Sequence, residues 1–209
     1  MNRLHLVFAT MGFLFGRQSP TDNFWAWFRG HEPQLLAIAT GHEPIVSELN
    51  RQLEAIHPDL TWEVGPSIEG RRDFVISAGG MKAAFSAVSQ LGSAAPPLPH
   101  WKVIAFRPAR PSVTTIKVKG ITLDARTIDF LAERNGTRTD LTISVPGYRP
   151  TPNHAYDEAV YLLLDGLLGE YAVETTIGGI DIVASEGRPT GSWRPFVAIA
   201  ELARDVRNP

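Results

Sequence analysis

The stretch Leu98-Pro99-His100-Trp101-Lys102-Val103-Ile104-Ala105-Phe106-Arg107-Pro108-Ala109-Arg110-Pro111 decides how the chain is read. Trp101 to Phe106 is nearly all apolar, which suits a strand covered on both faces, and the flanking prolines make it start and stop sharply. Arg107 and Arg110 follow directly. Guanidinium forks grip carboxylate or phosphate at two points, and open sheets often bind ligands beyond strand ends, so these two arginines form the candidate anion site. Loop arginines are as a rule exposed and paired with surface acids, and that plainer role stays open for both.

Upstream, Leu60, Trp62 and Val64 alternate with Thr61, Glu63 and Gly65, and Phe74 and Ile76 alternate across a loop containing Gly70. The two runs predict a hairpin, ended by Gly79-Gly80. Met81, Ala84, Phe85, Val88 and Leu91 then recur at helical spacing and predict an amphipathic helix lying on a sheet. Downstream, Thr114 to Lys119 alternates with Lys117 and Lys119 on one side, as in a guarded edge strand. Asn135-Gly136 asks for a two-residue type I′ turn, which sets Glu133 opposite Arg138, Phe130 opposite Leu141 and Ile128 opposite Ile143. Asp157 to Leu168 predicts a helix ended by Gly169. Gly178-Gly179 reads as a second hairpin turn between Val173 to Ile177 and Ile180 to Val183. From about Pro195 a last helix buries Phe196, Ile199, Ala200, Ala203 and Val206, with Arg204 and Arg207 at its negative end.

Leu60 to Arg107 and Ile128 to Ile177 therefore share an order of hairpin, helix and strand. A duplicated ββαβ unit explains this, and so does the frequent recurrence of short α+β units. The fold class is α+β, with mixed, largely antiparallel sheets and helices packed over them. Residues 19–209 read as one α+β domain, whose two similar halves would be 60–107 and 128–177. Residues 1–18 read as an N-terminal extension. Arg3 followed by Leu4 to Phe15 resembles a signal peptide but lacks an Ala-x-Ala pattern and is too short to span a bilayer, so Met11 is the expected alternative start.

Ser19-Pro20-Thr21-Asp22 is a helix opening: a serine cap, proline in the first turn and an acid that can return the capping bond. Phe24, Trp25, Trp27 and Phe28 follow. Such a ring of aromatics belongs in a core between layers, and the alternative is that Trp25 and Trp27 present a surface to a partner. Gly30-His31-Glu32-Pro33 recurs as Gly41-His42-Glu43-Pro44. As straight helix the copies would lie about 16 Å apart, too far for one ion, and proline with a nearby acid suits helix entry better than a metal.

The 209 residues suffice to bury a sizeable core, and the absence of cysteine excludes disulfides, thiol nucleophiles and thiolate metal sites and suits the cytoplasm. A net charge of -2 gives no general attraction to nucleic acid or anionic membrane. No phosphate loop, dinucleotide fingerprint, Gly-x-Ser-x-Gly elbow or His-Glu-x-x-His helix occurs, so no cofactor is expected. Asp165, an acid within an otherwise apolar helix, is the candidate proton-transfer residue, or else part of the helix rim.

The segments Phe24-Trp25-Ala26-Trp27-Phe28, Asp59-Leu60-Thr61-Trp62-Glu63, Phe74-Val75-Ile76-Ser77-Ala78, Trp101 to Pro108 and Leu164 to Tyr171 resemble those of a group of uncharacterised bacterial proteins, over most of the chain from about Gly12 to Val183. The resemblance implies no activity, cofactor or catalytic residue. The expectation is a binding or regulatory module without catalysis, its partner another protein or a second copy of the chain. The alternative is an enzyme or binding protein for a small anionic molecule, using Arg107 and Arg110 with Asp165.

Overall fold

The computed structural model describes residues 19–112, 114–150 and 154–203, the last without its side chain. The N-terminal extension, Arg204, Val206 and Arg207 lie outside the described residues. The chain is α+β. Three helices, α1 (Pro20–Gly30), α2 (Glu32–Leu36) and α3 (Pro44–Glu54), precede β1 (Thr61–Val64), β2 (Arg72–Ser77), α4 (Phe85–Ser93) and β3 (Trp101–Ala105). A small hairpin follows, β4 (Thr115–Val118) and β5 (Ile121–Asp124). The second unit contains β6 (Asp129–Asn135), β7 (Arg138–Val145), α5 (Ala155–Leu168), α6 (Glu170–Thr176) and β8 (Ile177–Ala184). A two-residue strand, β9 (Arg194–Pro195), and a 3₁₀ helix at Phe196–Ala203 close it.

Both units are wired alike. β1 pairs antiparallel with β2, and β2 pairs parallel with β3 across α4; β6 pairs antiparallel with β7, and β7 pairs parallel with β8 across α5 and α6. A parallel pair needs a long crossover, and in each unit helix supplies it. The second unit's third strand lies at 177–184, so the unit reaches beyond Ile177.

Each unit has its own core. In the first, Phe28 meets Phe74 at 4.8 Å and Trp101 at 5.3 Å between ring centroids, beneath α1. In the second, Phe130, Ile143, Val145, Leu163, Leu164 and Phe196 are buried together. The entry to α1 takes the form its sequence predicts: Asp22 N–H donates to Ser19 Oγ at 3.1 Å and Ser19 N–H returns to Asp22 Oδ2 at 3.3 Å. Both His-Glu-Pro segments begin helices, α2 and α3. Glu43 Oε1 accepts the N–H groups of Ala39 and Thr40, each at 2.8 Å. The Thr40 and Ala39 backbone bonds hold its carboxyl down at about 2.

Five local expectations give way. The Trp101 strand is not covered on both faces: β3 is an edge, with Lys102 exposed, and the buried central strand is β2. Among its helix neighbours, Met81 is 52% exposed and lies outside the buried stripe. The β6–β7 turn uses Gly136 and Thr137 rather than Asn135-Gly136, so Phe130 faces Ile143 and Ala132 faces Leu141. Only Gly136 there has positive φ, at 61°, the signature of a type II′ turn. The shift is two residues on the partner strand, so each side chain keeps its face. The turn with positive φ at both centres is instead Lys119-Gly120, between β4 and β5.

Gly178-Gly179 is not a turn either; Val173 to Thr176 is helical and the glycines lie inside β8. They make room for Asp140, whose Oδ1 accepts Gly179 N–H at 2.6 Å beside a register shift between Thr139 and Leu141. The closing segment is 3₁₀ rather than α-helical. Phe196 and Ile199, three apart, are buried, whereas Ala200 is exposed.

A Cβ at Gly178 would collide with Asp140 Oδ1. Gly178→Ala is therefore expected to destabilise the chain by about 1–3 kcal/mol in urea denaturation. Gly30→Ala, with open space around it, serves as the control and should change little.

Candidate functional site

The two units meet where the end of β3 crosses the junction of α5 and α6. Gly169 sits at that junction with φ 82° and ψ 149°, backbone that is close to glycine-only. A Cβ there would lie 2.9 Å from Ala109 N and 3.2 Å from Arg107 O. The close approach lets Glu170 N–H donate to Arg107 O at 3.0 Å and Arg110 N–H donate to Gly166 O at 2.6 Å.

Glu170, the first residue of α6, is fully buried. Its Oε1 accepts Ser77 Oγ–H at 3.0 Å, Ala78 N–H at 2.9 Å and Gly80 N–H at 3.1 Å, all from the end of β2. Its Oε2 accepts Arg107 N–H at 3.0 Å. One carboxylate from the second unit thus collects four donors from the first. Phe106, just before Arg107, is held at φ 63°, an unusual value for a bulky residue, by contacts with Phe85 at 4.7 Å and Tyr171 at 5.1 Å.

Around this clamp lie the side chains singled out in the sequence. Arg107 Nη2 is 3.4 Å from Asp165 Oδ2, and its Nε is 3.9 Å from Glu170 Oε2 and 4.0 Å from Glu63 Oε1. That Nε is buried and makes no hydrogen bond. Arg110 Nη2 donates to Glu63 Oε2 at 2.6 Å. Arg107, Arg110 and Asp165 line one cavity of about 190 Å³ with Glu63, Ile116 and Leu162. A larger hollow of about 500 Å³ shares Arg107 and Asp165 and adds Tyr161 and Glu174.

Burial pushes the Asp165 carboxyl up; Arg107 opposes this, while Glu170, Glu174 and Glu63 reinforce it, and the result is about 6. A single guanidinium shared among several carboxylates does not hold Asp165 in its usual range. The three chemistry-bearing candidates therefore converge, whereas the two tryptophans do not join them. Trp25 is 3% exposed in the first core and donates its indole N–H to Leu91 O at 3.0 Å, so its ring is not on offer to a partner. Trp27 is half-buried and stacks on His31 at 4.9 Å.

Glu170, Glu63 and Ser77 were not candidates from the sequence. The signal for Glu170 was Gly169 before it, a break followed at once by an acid in the first turn of a new helix. Among the described residues, no group of three or more His, Asp and Glu side chains is placed to hold a metal ion, and no helix is long and apolar enough to cross a membrane. Compared with protein-family profiles, with curated proteins and with solved structures, the chain matches none.

Removing the Glu170 carboxylate leaves buried donors without partners. Glu170→Ala is expected to cost about 3–5 kcal/mol and Glu170→Gln about 1–3 kcal/mol in urea denaturation. Wild-type stability in both variants would contradict the clamp.

Asp165 has the opposite sign. Between its ordinary value of 3.8 and its folded value of about 6 the folded chain holds a proton that the unfolded chain has released. Stability from this group falls as pH rises through that window, and the deficit persists above it. Asp165→Asn is thus expected to gain on the order of 2 kcal/mol at pH 8 and little at pH 4. A loss at pH 8 would show that the pair with Arg107 outweighs the burial of Asp165.

Proposed function

We propose that the chain is a binding or regulatory module without catalysis, in which Glu170 and the charged cluster around it fix the arrangement of the two ββαβ units. The observation carrying this reading is the mutual pairing of the cluster. Arg110 is bonded to Glu63, Arg107 faces three carboxylates, and both oxygens of Glu170 are taken by donors from the first unit. An incoming anion meets two guanidiniums already surrounded by acids, and so gains little net attraction. Ser77 Oγ donates to the Glu170 carboxylate and accepts Gly79 N–H, but that carboxylate also accepts three backbone N–H groups, which weakens it as a base, so the pair serves to fix a turn.

One observation favours the second reading, a small anionic molecule held by Arg107 and Arg110 with Asp165 as acid. The three line the same cavity, and a carboxyl that titrates near 6 is suited to proton transfer.

Isothermal titration with inorganic phosphate, citrate and a nucleoside triphosphate, beside a hydrolase and phosphatase panel, separates the two. The module is expected to give neither saturable heat nor turnover. Binding abolished by Arg110→Ala, or turnover abolished by Asp165→Asn in a chain that remains folded, would establish the second reading instead.

A further inference from the structure

We propose that the edge of β3, unpaired among the described residues, together with the groove between β3 and α4, receives an extended acidic segment of a partner protein as an added strand. The inference rests on the module reading and names its partner by chemistry.

Its first support is backbone. β3 is the terminal strand of its sheet. Arg72 N–H donates to His100 O at 2.9 Å, and Phe106 N–H donates to Ile76 O at 2.7 Å. In a parallel pair these bonds turn alternate residues toward the neighbour, so His100, Lys102, Ile104 and Phe106 face β2 while Trp101, Val103 and Ala105 direct their peptide groups outward. The outward groups of Trp101 are occupied: its N–H reaches Leu98 O at 3.3 Å, and Arg71 Nη2 donates to its carbonyl at 3.2 Å. The outward N–H and C=O groups of Val103 and Ala105 have no partner among the described residues. Such a row is a template for one more strand.

The second support is shape. Two hollows of about 510 Å³ each lie beside the strand, and Val103 lines both. One runs between β3 and Ser89, Gly92 and Ser93 of α4; the other continues along Pro96, Pro97 and Trp101. The two hollows meet at Val103 and flank the same edge, one walled by small residues of α4 with Ala105 and the other by Pro96, Pro97 and Trp101, which leaves room for the alternate side chains of a bound strand.

Charge then selects the occupant. Arg71 and Lys102 stand at the Trp101 end and no carboxylate lines either hollow; Asp73 lies opposite Lys102 in the register, yet neither cation forms an ion pair among the described residues. Trp101 lines the same end, and its buried indole N–H has no hydrogen-bond partner among the described residues. An acidic segment matches these donors. A two-fold pairing of β3 edges runs antiparallel and would set Arg71 and Lys102 of each copy against the Ala105 end of the other, where no carboxylate lines the hollow, which disfavours edge-to-edge pairing.

The test is selection of phage-displayed heptapeptides on the full chain, followed by fluorescence polarisation with the best isolated peptide. The expected peptides carry Asp or Glu beside alternating β-branched residues. Arg71→Glu, a change at an exposed side chain, is expected to weaken binding at least tenfold, as is Lys102→Glu. Val103→Pro removes an outward N–H that β2 does not use and is expected to abolish binding. Should that variant fail to fold, amide exchange on the wild-type chain reads the same contact: bound peptide should protect Val103 and Ala105 while leaving Ile104 unchanged. Selection that returns no peptide, or peptides whose binding ignores both charge reversals and leaves Val103 and Ala105 unprotected, would overturn the proposal. The module reading fails differently, by turnover that depends on Asp165.

Discussion

The arrangement of the molecule depends on a buried carboxylate. Glu170 stands at the start of α6 with no exposure to solvent, and the groups that satisfy it belong to the other unit: Ser77, Ala78 and Gly80 at the end of β2, and Arg107 at the end of β3. Taking a carboxylate out of water costs several kcal/mol, and the burial is tolerable only when its oxygens are fully bonded. The positions of the β2 turn, the β3 exit and the α5–α6 break are therefore tied to one another. Moving any of them would leave an acid or a donor unsatisfied.

The same requirement accounts for irregularities that look unrelated when taken singly. Gly169 carries backbone that other residues avoid because the 107–110 segment passes within contact distance of it. Phe106 adopts positive φ in the residue before the Arg107 N–H that Glu170 accepts. Asp165, one helical turn before the break, is partly buried beside Glu170 and titrates near 6. The two cores meet at a seam where Glu170 and its donors lie beside the rings of Phe85, Phe106 and Tyr171, and the same seam contains Arg107, Arg110 and Asp165.

Much of this was legible in the sequence, because periodicity and punctuation are local. The order of hairpin, helix and strand in both units follows from alternation and from glycines and prolines, and Arg107, Arg110 and Asp165 stood out as charges next to apolar runs. What failed depended on distant neighbours. Trp101 to Phe106 looked central because its residues are apolar, yet the covering layer falls on β2. Gly178-Gly179 imitated a turn because Asp140, which needs the space, lies 38 residues away from Gly178. The Asn135-Gly136 turn moved by one residue while the core face survived, since strand periodicity tolerates a two-residue change of partner. Glu170 was hidden for a similar reason: burial of an acid is decided by the donors that fold onto it.

If Glu170 joins the two units into one cooperative structure, native-state hydrogen exchange reads it directly. The amides of Ala78, Gly80 and Arg107, all donors to Glu170, should exchange only with global unfolding, at the same free energy as amides in the central strands β2 and β7. Exchange of these three through a local opening, well below the free energy of either core, would show that the seam separates while both units stay folded and would contradict the clamp.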